Sequence, residues 1–394
     1  MSDTAKRRFQ TRAVHTSRLS PLEQLPSSMP IFQSSTFRFE TNEEFANAIR
    51  FDGPGYVYTR GYGNPTVDAF QSAMADLEAT ESAIGFASGM ATISTLFLTV
   101  LGSGSRVVAG SALYGGTISM LRDTLSRFGV ETSFVDPTDL EHVSEALTGA
   151  DLFYCETLVN PTTTVPDLSE LGRLCHEAGV LSVVDNTFAS PYLCNPAGLG
   201  FDVVLHSATK YIGGHADLIG GVACADEELF RRLRATLIDV GGSMQPLEAW
   251  LCLRGLATLS LRMEHHCRSA TMLAEALTEH PHVERVHYPG LGSHPQHELA
   301  TRQLRLPGGT LAVEVAGGLE AASRVAEALE LAWIAGSLGG VQTLVAHPAS
   351  TTHRQLDPDA RRAAGIGDGL LRIAVGLEDP DDLVEDFSRA LEKA

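Results

Sequence analysis

The stretch that decides the fold is residues 205–222, LHSATKYIGGHADLIGGV. It begins inside the apolar run FDVVLHSA (201–208), and Lys210 follows two residues after that run, ahead of several glycines. A lysine at such a junction is usually a solvated surface residue. The alternative is an amine at the end of a buried strand, where its pKa can be lowered for covalent chemistry. The neighbouring stretches favour the second interpretation.

Short apolar runs alternate with amphipathic stretches in the middle of the chain. The runs at 105–110, 151–157 and 181–186 are typical of buried strands, whereas 116–129 and 167–180 carry apolar residues at helical spacing. Strands that alternate with helices predict an α/β fold with a mostly parallel sheet, covered by helices on both faces.

Polar residues follow several of these predicted strands. Glu156, Asp185, Asn186, Ser207 and Lys210 each lie at or just beyond the carboxyl end of a run. Ligands of open parallel sheets bind at this edge. We therefore expect one site at the rim of the sheet, built from side chains that are far apart in sequence.

The chain is predicted to have three parts. Residues 1–60 are rich in Ser, Pro and Thr and are interpreted as an extended arm, and residues 61–250 carry the predicted sheet. Residues 251–394 contain helical patterns and two strand-like runs, at 309–317 and 370–378. This last part is predicted to be a smaller α+β domain.

Composition limits the classes of partner. The net charge of −19, from 48 acidic and 29 basic residues, argues against nucleic acid and anionic membrane surfaces. The six cysteines lie far apart without a CxxC pair, which indicates reduced thiols and a cytoplasmic protein. No apolar run approaches the roughly 20 residues that cross a bilayer, and no signal peptide is visible. The histidine pairs lack metal-ligand spacing, so no metal is expected.

Four kinds of group point to a phosphorylated, planar cofactor. The SGM turn (88–90) opens an apolar helix whose free N–H groups suit a phosphate. Asp185 ends an apolar strand and needs a cationic or hydrogen-bonding partner there. Tyr114 could stack on a ring, and hydroxyl side chains flank Lys210. Each signal alone is weak, but together they are the parts that hold pyridoxal phosphate.

The sequence resembles the trans-sulfuration (Cys/Met metabolism) family of pyridoxal-phosphate enzymes. The resemblance implies the aspartate-aminotransferase-like fold of these transferases (fold type I), with a mostly parallel sheet in the large domain. It extends over nearly the whole chain and is carried by TRAVH (11–15), YTRGYGNPT (58–66), ASGMAT (87–92), YGGT (114–117), VVDNTF (183–188), HSATKYIGGH (206–215), AWLCLRGLATLSLRM (249–263), YPGLGSHPQHELA (288–300), SLGGVQTLVAHPASTTH (337–353) and LLRIAVGLED (370–379).

The resemblance also assigns roles. It implies that Lys210 binds pyridoxal 5′-phosphate as a Schiff base and removes the substrate's α-proton, that Asp185 pairs with the pyridine nitrogen, and that Tyr114 stacks on the ring. The other residues that it places at the cofactor are Tyr58, Arg60, Gly89, Met90, Asn160, Ser207 and Thr209. At the substrate it places Ser337, Gln342 and Arg372, whose planar fork suits a carboxylate.

Tyr58 and Arg60 resemble a pair that reaches the phosphate of a neighbouring subunit. The resemblance therefore implies a homo-oligomer, a tetramer built as a dimer of dimers. Relatives place two residues between this arginine and NPT, whereas Gly61, Tyr62 and Gly63 intervene here. The sequence therefore leaves open whether Tyr58 and Arg60, or positions one residue away, correspond to the pair in the relatives.

The implied reaction is γ-elimination or γ-replacement on a sulfur- or oxygen-substituted amino acid, with a thiol as second substrate in the replacement. A cystathionine γ-synthase/γ-lyase-like enzyme is the leading interpretation. Methionine γ-lyase, which typically has cysteine where this chain has Gly116, and O-acylhomoserine sulfhydrylase, which the stretch 347–366 resembles, are alternatives. Gln342 stands where cystathionine-handling enzymes often have glutamate. A non-catalytic regulatory protein is a remote alternative, since fold does not fix function.

Overall fold

The computed structural model describes residues 7–15, 26–351, 361 and 365–394. A seven-stranded sheet contains β1 (Ser82–Phe86), β2 (Arg106–Gly110), β3 (Glu131–Val135), β4 (Leu152–Glu156), β5 (Leu181–Asp185), β6 (Val203–His206) and β7 (Gly221–Ala225). Its strand order is β1-β7-β6-β5-β4-β2-β3. β7 runs antiparallel to β1 and β6, whereas the other neighbouring strands are parallel. The predicted, mostly parallel sheet is confirmed.

Helices cover both faces of this sheet. Alternate strand residues enter two different apolar cores, Val183 and Val203 in one and Val184 and Val204 in the other. The helices of this part are α3 (Pro65–Glu78), α4 (Gly89–Val100), α5 (Gly115–Ser119), α6 (Leu140–Ala146), α7 (Leu168–Ala178), α8 (Ser190–Leu193) and α9 (Glu227–Val240). The helix predicted at 116–129 is irregular, because α5 passes into a π turn and then a 3₁₀ turn.

A second, five-stranded sheet follows in the chain. It contains β8 (Val283–His287), β9 (Thr310–Val315), β10 (Trp333–Ile334), β11 (Leu344–Ala346) and β12 (Leu370–Ala374), in the order β10-β11-β12-β9-β8. Among the described strands of this sheet, β10 and β11 pair in parallel and the other neighbours are antiparallel. The helices here are α10 (Pro246–Leu256), α11 (Leu259–Thr278), α12 (His297–Gln303), α13 (Gly318–Ala328) and α14 (Pro380–Leu391). The predicted division at residues 250 and 251 falls inside α10, and it stays a prediction.

The N-terminal stretch is not extended throughout its described part. It contains α1 (Phe9–Val14) and α2 (Asn42–Ile49). α2 begins with a capping box, in which the Thr41 hydroxyl accepts from the Glu44 N–H and the Glu44 carboxylate accepts from the Thr41 N–H. Residues 1–6 and 16–25 of the predicted arm lie outside the described residues, as does most of the 347–366 stretch beyond residue 351.

Two further observations concern the predicted surroundings of the protein. Within the described ranges, no helix is both long and apolar enough to cross a membrane. All six cysteines are buried and free.

Candidate active site

A cavity of about 500 Å³ lies at the carboxyl ends of β4, β5 and β6, beside the start of α4. It lies at the edge of the sheet where the residues at the strand ends predict a site. The predicted site residues that line it are Gly89, Met90, Tyr114, Asn160, Asp185, Ser207, Thr209, Lys210, Ser337 and Arg372. Tyr58, Arg60 and Gln342 are not among its lining residues in the described part of the chain.

The Lys210 amine faces this cavity rather than bulk solvent. Its Nζ donates a hydrogen bond to Oγ of Ser337, at 2.7 Å. Burial and, to a smaller extent, the neighbouring Arg372 cation lower the pKa of Lys210 to about 8, although the Asp185 carboxylate acts in the opposite direction. A neutral amine is the nucleophilic and basic form of lysine, so this environment prepares Lys210 for covalent chemistry.

Arg372 brings a buried cation from β12 to the same cavity. Its Nη2 donates to the carbonyl oxygen of Ser337 at 2.7 Å, and its Nη1 donates to Oδ1 of Asn160 at 3.2 Å. Only 5% of the residue is exposed, and its Nε has no hydrogen-bond partner. Burial lowers the pKa of Arg372 to about 10, so the guanidinium is still protonated at pH 7. A buried cation with a free N–H group is suited to bind a carboxylate.

Two carboxylates end neighbouring strands, since Glu156 of β4 pairs in register with Asp185 of β5. Oδ1 of Asp185 accepts from the Thr187 N–H at 3.0 Å, and Oδ2 accepts from the Tyr154 hydroxyl at 3.4 Å. Burial raises the pKa of Asp185, and these hydrogen bonds and the charge of His206 act in the opposite direction. A cationic ring nitrogen beside Asp185 would further stabilise its ionised form.

Glu156 lines the cavity, at the strand end where the sequence places it, and makes contacts there that the sequence did not reveal. Its Oε1 accepts from the backbone N–H of Tyr114 at 2.6 Å, and its Oε2 accepts from the backbone N–H of Asn160 at 3.2 Å. Burial, and then the Asp185 charge, raise the pKa of Glu156 to about 8. Its position at the end of an apolar run was visible in the sequence, but its bonds to two backbone N–H groups were not.

The start of α4 lies against the segment that carries Ser207. The Ser88 hydroxyl caps the helix by accepting from the Ala91 N–H at 3.0 Å. A Cβ atom at Gly89 would lie 2.9 Å from Cβ of Ser207, so glycine is needed for this approach. The Thr209 hydroxyl exchanges two hydrogen bonds with Gly220, since Oγ1 accepts from its N–H at 3.0 Å and donates to its carbonyl oxygen at 3.3 Å. Helix N–H groups and hydroxyls together form a cradle for an anion.

Tyr114 stands at the mouth of the cavity, with 51% of the residue exposed. Its ring passes over the backbone of Gly116, where a Cβ atom would lie 2.5 Å from Cε1 of Tyr114 and 2.9 Å from Sδ of Met90. The absence of a side chain at Gly116 therefore sets the position of the ring. An exposed aromatic face beside the anion cradle is suited to stacking on a planar group.

The three remaining predicted residues lie elsewhere. Tyr58 and Arg60 contact each other, with the guanidinium carbon 5.7 Å from the ring centroid, and Arg60 also donates to the carbonyl oxygen of Ile238. Gly61 and Gly63, two of the three residues between Arg60 and Asn64, have left-handed backbone. Gln342 is half-buried, and its backbone packs closely against Gly376. The predicted roles of these residues stay predictions.

A family model described as Cys/Met metabolism PLP-dependent enzyme matches residues 10–392. The chain belongs to this family. It is 41% identical to L-methionine γ-lyase of Fusobacterium nucleatum subsp. polymorphum, over 99% of this chain and all of the relative. It is 42% identical to O-succinylhomoserine sulfhydrylase of Pseudomonas aeruginosa, over 92% and 90% of the two chains. The crystal structure of metB from Corynebacterium glutamicum superposes with a TM-score of 0.92 at 37% identity, covering 99% of each chain.

Membership of this family establishes the class of chemistry. The protein is a pyridoxal-phosphate-dependent enzyme that carries out elimination or replacement on sulfur amino acids. The family, the fold class, the cofactor and the enzyme class predicted from the sequence are confirmed.

Proposed function

We propose that the enzyme eliminates the γ-substituent of an L-amino acid that carries an uncharged γ-thioether, of which methionine is the simplest. The lining of the cavity supports this substrate class. Ile219 and Leu338 are apolar lining residues, and the lining carboxylates Glu156 and Asp185 already accept hydrogen bonds from the protein. Among the described lining residues, no further carboxylate is available to a second, distal ammonium group.

The described residues fit pyridoxal phosphate. The α4 N-terminus and Ser207 would hold the phosphate, Asp185 would face the ring nitrogen, and Tyr114 would stack on the ring. Lys210, with its lowered pKa, would provide the covalent link. Pyridoxal phosphate supplies, when bound, an electron sink for negative charge that forms on the substrate carbons.

The side chains then have separate tasks in the reaction. The Arg372 guanidinium would hold the substrate carboxylate, because its Nε is buried without a partner. The Lys210 amine, once released by the substrate's amino group, would take the α-proton, and Ser337 Oγ would orient it through their 2.7 Å hydrogen bond. The Tyr114 hydroxyl would assist the departing γ-group.

γ-Replacement on an O-acylhomoserine, in which a thiol takes the place of the acyloxy group, is the second candidate. Gly116 favours it, because methionine γ-lyases typically have a cysteine there, and a Cβ atom at this position would collide with the Tyr114 ring. The likeness to O-succinylhomoserine sulfhydrylase adds support. The cystathionine γ-synthase-like reaction predicted from the sequence falls in this group, whereas the γ-lyase-like reaction predicted with it is an elimination.

A product screen tests both candidates. Purified enzyme is supplied with methionine, cystathionine, O-acetylhomoserine or O-succinylhomoserine, each with and without a thiol, and 2-oxo acid, ammonia and released thiol are measured. The Lys210→Ala variant provides the background. We expect methionine to give 2-oxobutanoate, ammonia and methanethiol with a kcat/KM about tenfold above that for cystathionine. Turnover only of O-acylhomoserines, and only with a thiol, would replace this proposal by the second candidate.

We further propose that Tyr58 and Arg60 serve the cavity of a neighbouring subunit, in a tetramer made of two dimers. Both residues lie outside the cavity lining of their own chain, and both are exposed. The buried free thiols also support the cytoplasm as the compartment.

Mixed dimers test this arrangement. Arg60→Ala and Lys210→Ala should each be nearly inactive alone. In a dimer of one chain of each kind, one site receives both defects and the other receives none. Co-expression should therefore restore about half of the activity per mixed dimer, by the two-fold symmetry of the interface. If Arg60 serves its own chain, verified mixed dimers stay inactive.

A further inference from the structure

A buried carboxylate lies behind the strand ends that form the cavity. Glu78, the last residue of α3, is fully buried and lies within hydrogen-bond distance of three side chains. Its Oε1 is 2.5 Å from Nε2 of His206 and 3.0 Å from Nδ2 of Asn186, and its Oε2 is 3.2 Å from Nδ2 of Asn195. The proposed reaction gives this carboxylate no task.

Two of these partners are adjacent in the chain to residues of the cavity. Asn186 follows Asp185, and His206, which is itself among the lining residues of the cavity, precedes Ser207. Asn186 also accepts, through Oδ1, from the Thr157 hydroxyl at the end of β4, at 2.8 Å. One buried network centred on Glu78 therefore joins the ends of β4, β5 and β6.

Glu78 acts from the side of the sheet opposite to the cavity. Successive side chains at a strand end point to opposite faces, so Asn186 points away from the face that Asp185 occupies. Asp185 lines the cavity, whereas Asn186 donates to Glu78. Glu78 therefore influences the cavity through the strands and not by touching substrate or cofactor.

The network depends on a group that only accepts hydrogen bonds. A carboxylate can accept from all three partners, whereas an amide in its place would turn one acceptor into a donor that faces another donor. A buried polar group without a partner is costly, so this mismatch would be relieved by movement of the strand ends. Burial raises the pKa of Asp185 and the charge of His206 opposes that rise, so His206 also acts electrostatically on Asp185.

We propose that Glu78 is a positioning residue for pyridoxal phosphate: through Asn186 and His206 it holds the ends of β5 and β6, so that Asp185 and Ser207 meet the cofactor together. This inference rests on the proposed cofactor roles of Asp185 and Ser207. It does not depend on which amino acid is the substrate.

The central experiment measures cofactor binding in Glu78→Gln without substrate. The cofactor is removed from the purified protein, pyridoxal phosphate is titrated back, and its Kd is obtained from the visible absorbance. The visible circular dichroism of the bound cofactor reports its orientation. We expect Kd to rise about tenfold or more and the dichroic band to change, because a buried hydrogen-bond network at the cofactor's anchor is mismatched.

Two control variants separate positioning from general stability. Asn195→Ala removes a donor to the same carboxylate, but Asn195 lies at no strand end. Asp386→Asn alters another buried carboxylate, which accepts from the backbone N–H groups of Glu330 and Leu331 beside the second sheet. Both should lower the melting temperature and leave the Kd for pyridoxal phosphate within about twofold of wild type.

His206→Leu tests the same network if Glu78→Gln does not fold. It removes the imidazole that contacts Glu78 and should raise the Kd for pyridoxal phosphate by a similar factor. Where both variants fold, the double variant should bind the cofactor about as weakly as either single one, because the two act through one network. Wild-type Kd and dichroism in Glu78→Gln or in His206→Leu would overturn the proposal. The proposal would also be overturned if Asp386→Asn lowered the melting temperature as much as Glu78→Gln does and weakened cofactor binding by the same factor.

Discussion

Lys210 should titrate at about pH 8, well below an ordinary lysine at 10.5, in protein from which pyridoxal phosphate has been removed. Burial lowers its pKa from 10.5 to about 8, with a contribution from the Arg372 cation that the Asp185 carboxylate partly offsets. The shift favours the neutral amine, so the nucleophilic form appears as the pH rises through about 8 rather than through 10.5.

The size of the effect follows from these two pKa values. At pH 7 an amine with a pKa of about 8 is neutral in about one molecule in ten, compared with about one in 3,000 at 10.5. The cavity therefore raises the reactive fraction by roughly 300-fold. Arg372→Gln removes a cation and should raise the pKa of Lys210, whereas Asp185→Asn removes an anion and should lower it.

Competitive labelling with trace acetic anhydride between pH 6 and about 11 would measure this pKa. The chain has three lysines, Lys6, Lys210 and Lys393, so each is resolved by peptide mass spectrometry. Lys393 is exposed and provides the reference within the same digest. A labelling midpoint for Lys210 above about 10, or one that Arg372→Gln leaves unchanged, would refute the electrostatic reasoning.

Three further substitutions probe the cavity. Asp185→Asn should keep bound cofactor but lower kcat by about 100-fold or more, since the preorganised charge is lost; near-normal turnover would contradict the role. Gly116→Cys should displace the Tyr114 ring, because its Cβ would lie 2.5 Å from Cε1, and should lower kcat/KM about tenfold. An unchanged rate and cofactor spectrum would show that the ring position is not limiting. Ser337→Ala removes the 2.7 Å hydrogen bond from the Lys210 amine. It should lower kcat about tenfold with little change in KM. A change in KM alone would show that Ser337 does not orient the amine.

Much of this architecture is predictable from local sequence patterns. Apolar runs that end in Asp185 and Ser207 mark buried parallel strands, and the carboxyl ends of such strands share one edge. The position of Lys210 just beyond such a run follows from the same reasoning. Arg372 is different, because it belongs to the second sheet, and only the resemblance to a family connected it with this cavity.

Other features could not be predicted from the sequence, because they depend on backbone N–H groups or on the close approach of a side chain to the backbone. The task of Glu156 rests on N–H groups of Tyr114 and Asn160, and almost every residue has such a group. The position of the Tyr114 ring depends on the missing Cβ atom of Gly116, which no pattern of side chains reveals. α2 could have been predicted, since Thr41 and Glu44 have capping-box spacing, but the Ser, Pro and Thr content around it indicated an extended arm.

Ser337 connects the two proposed tasks of the cavity, because it contacts both cationic side chains. Its hydroxyl accepts from Nζ of Lys210 and its carbonyl oxygen accepts from Nη2 of Arg372, each at 2.7 Å. Its backbone has a φ of 105°, in the region that disfavours residues other than glycine, so these contacts hold a strained residue in place. A substrate carboxylate that bound the free Nε of Arg372 in a bidentate way would also reach Nη2, and there it would compete with the Ser337 carbonyl. Carboxylate binding should therefore loosen Ser337, the residue whose hydroxyl restrains the Lys210 amine. In this way Ser337 would link substrate recognition by Arg372 of the second sheet with proton transfer by Lys210 beside the first.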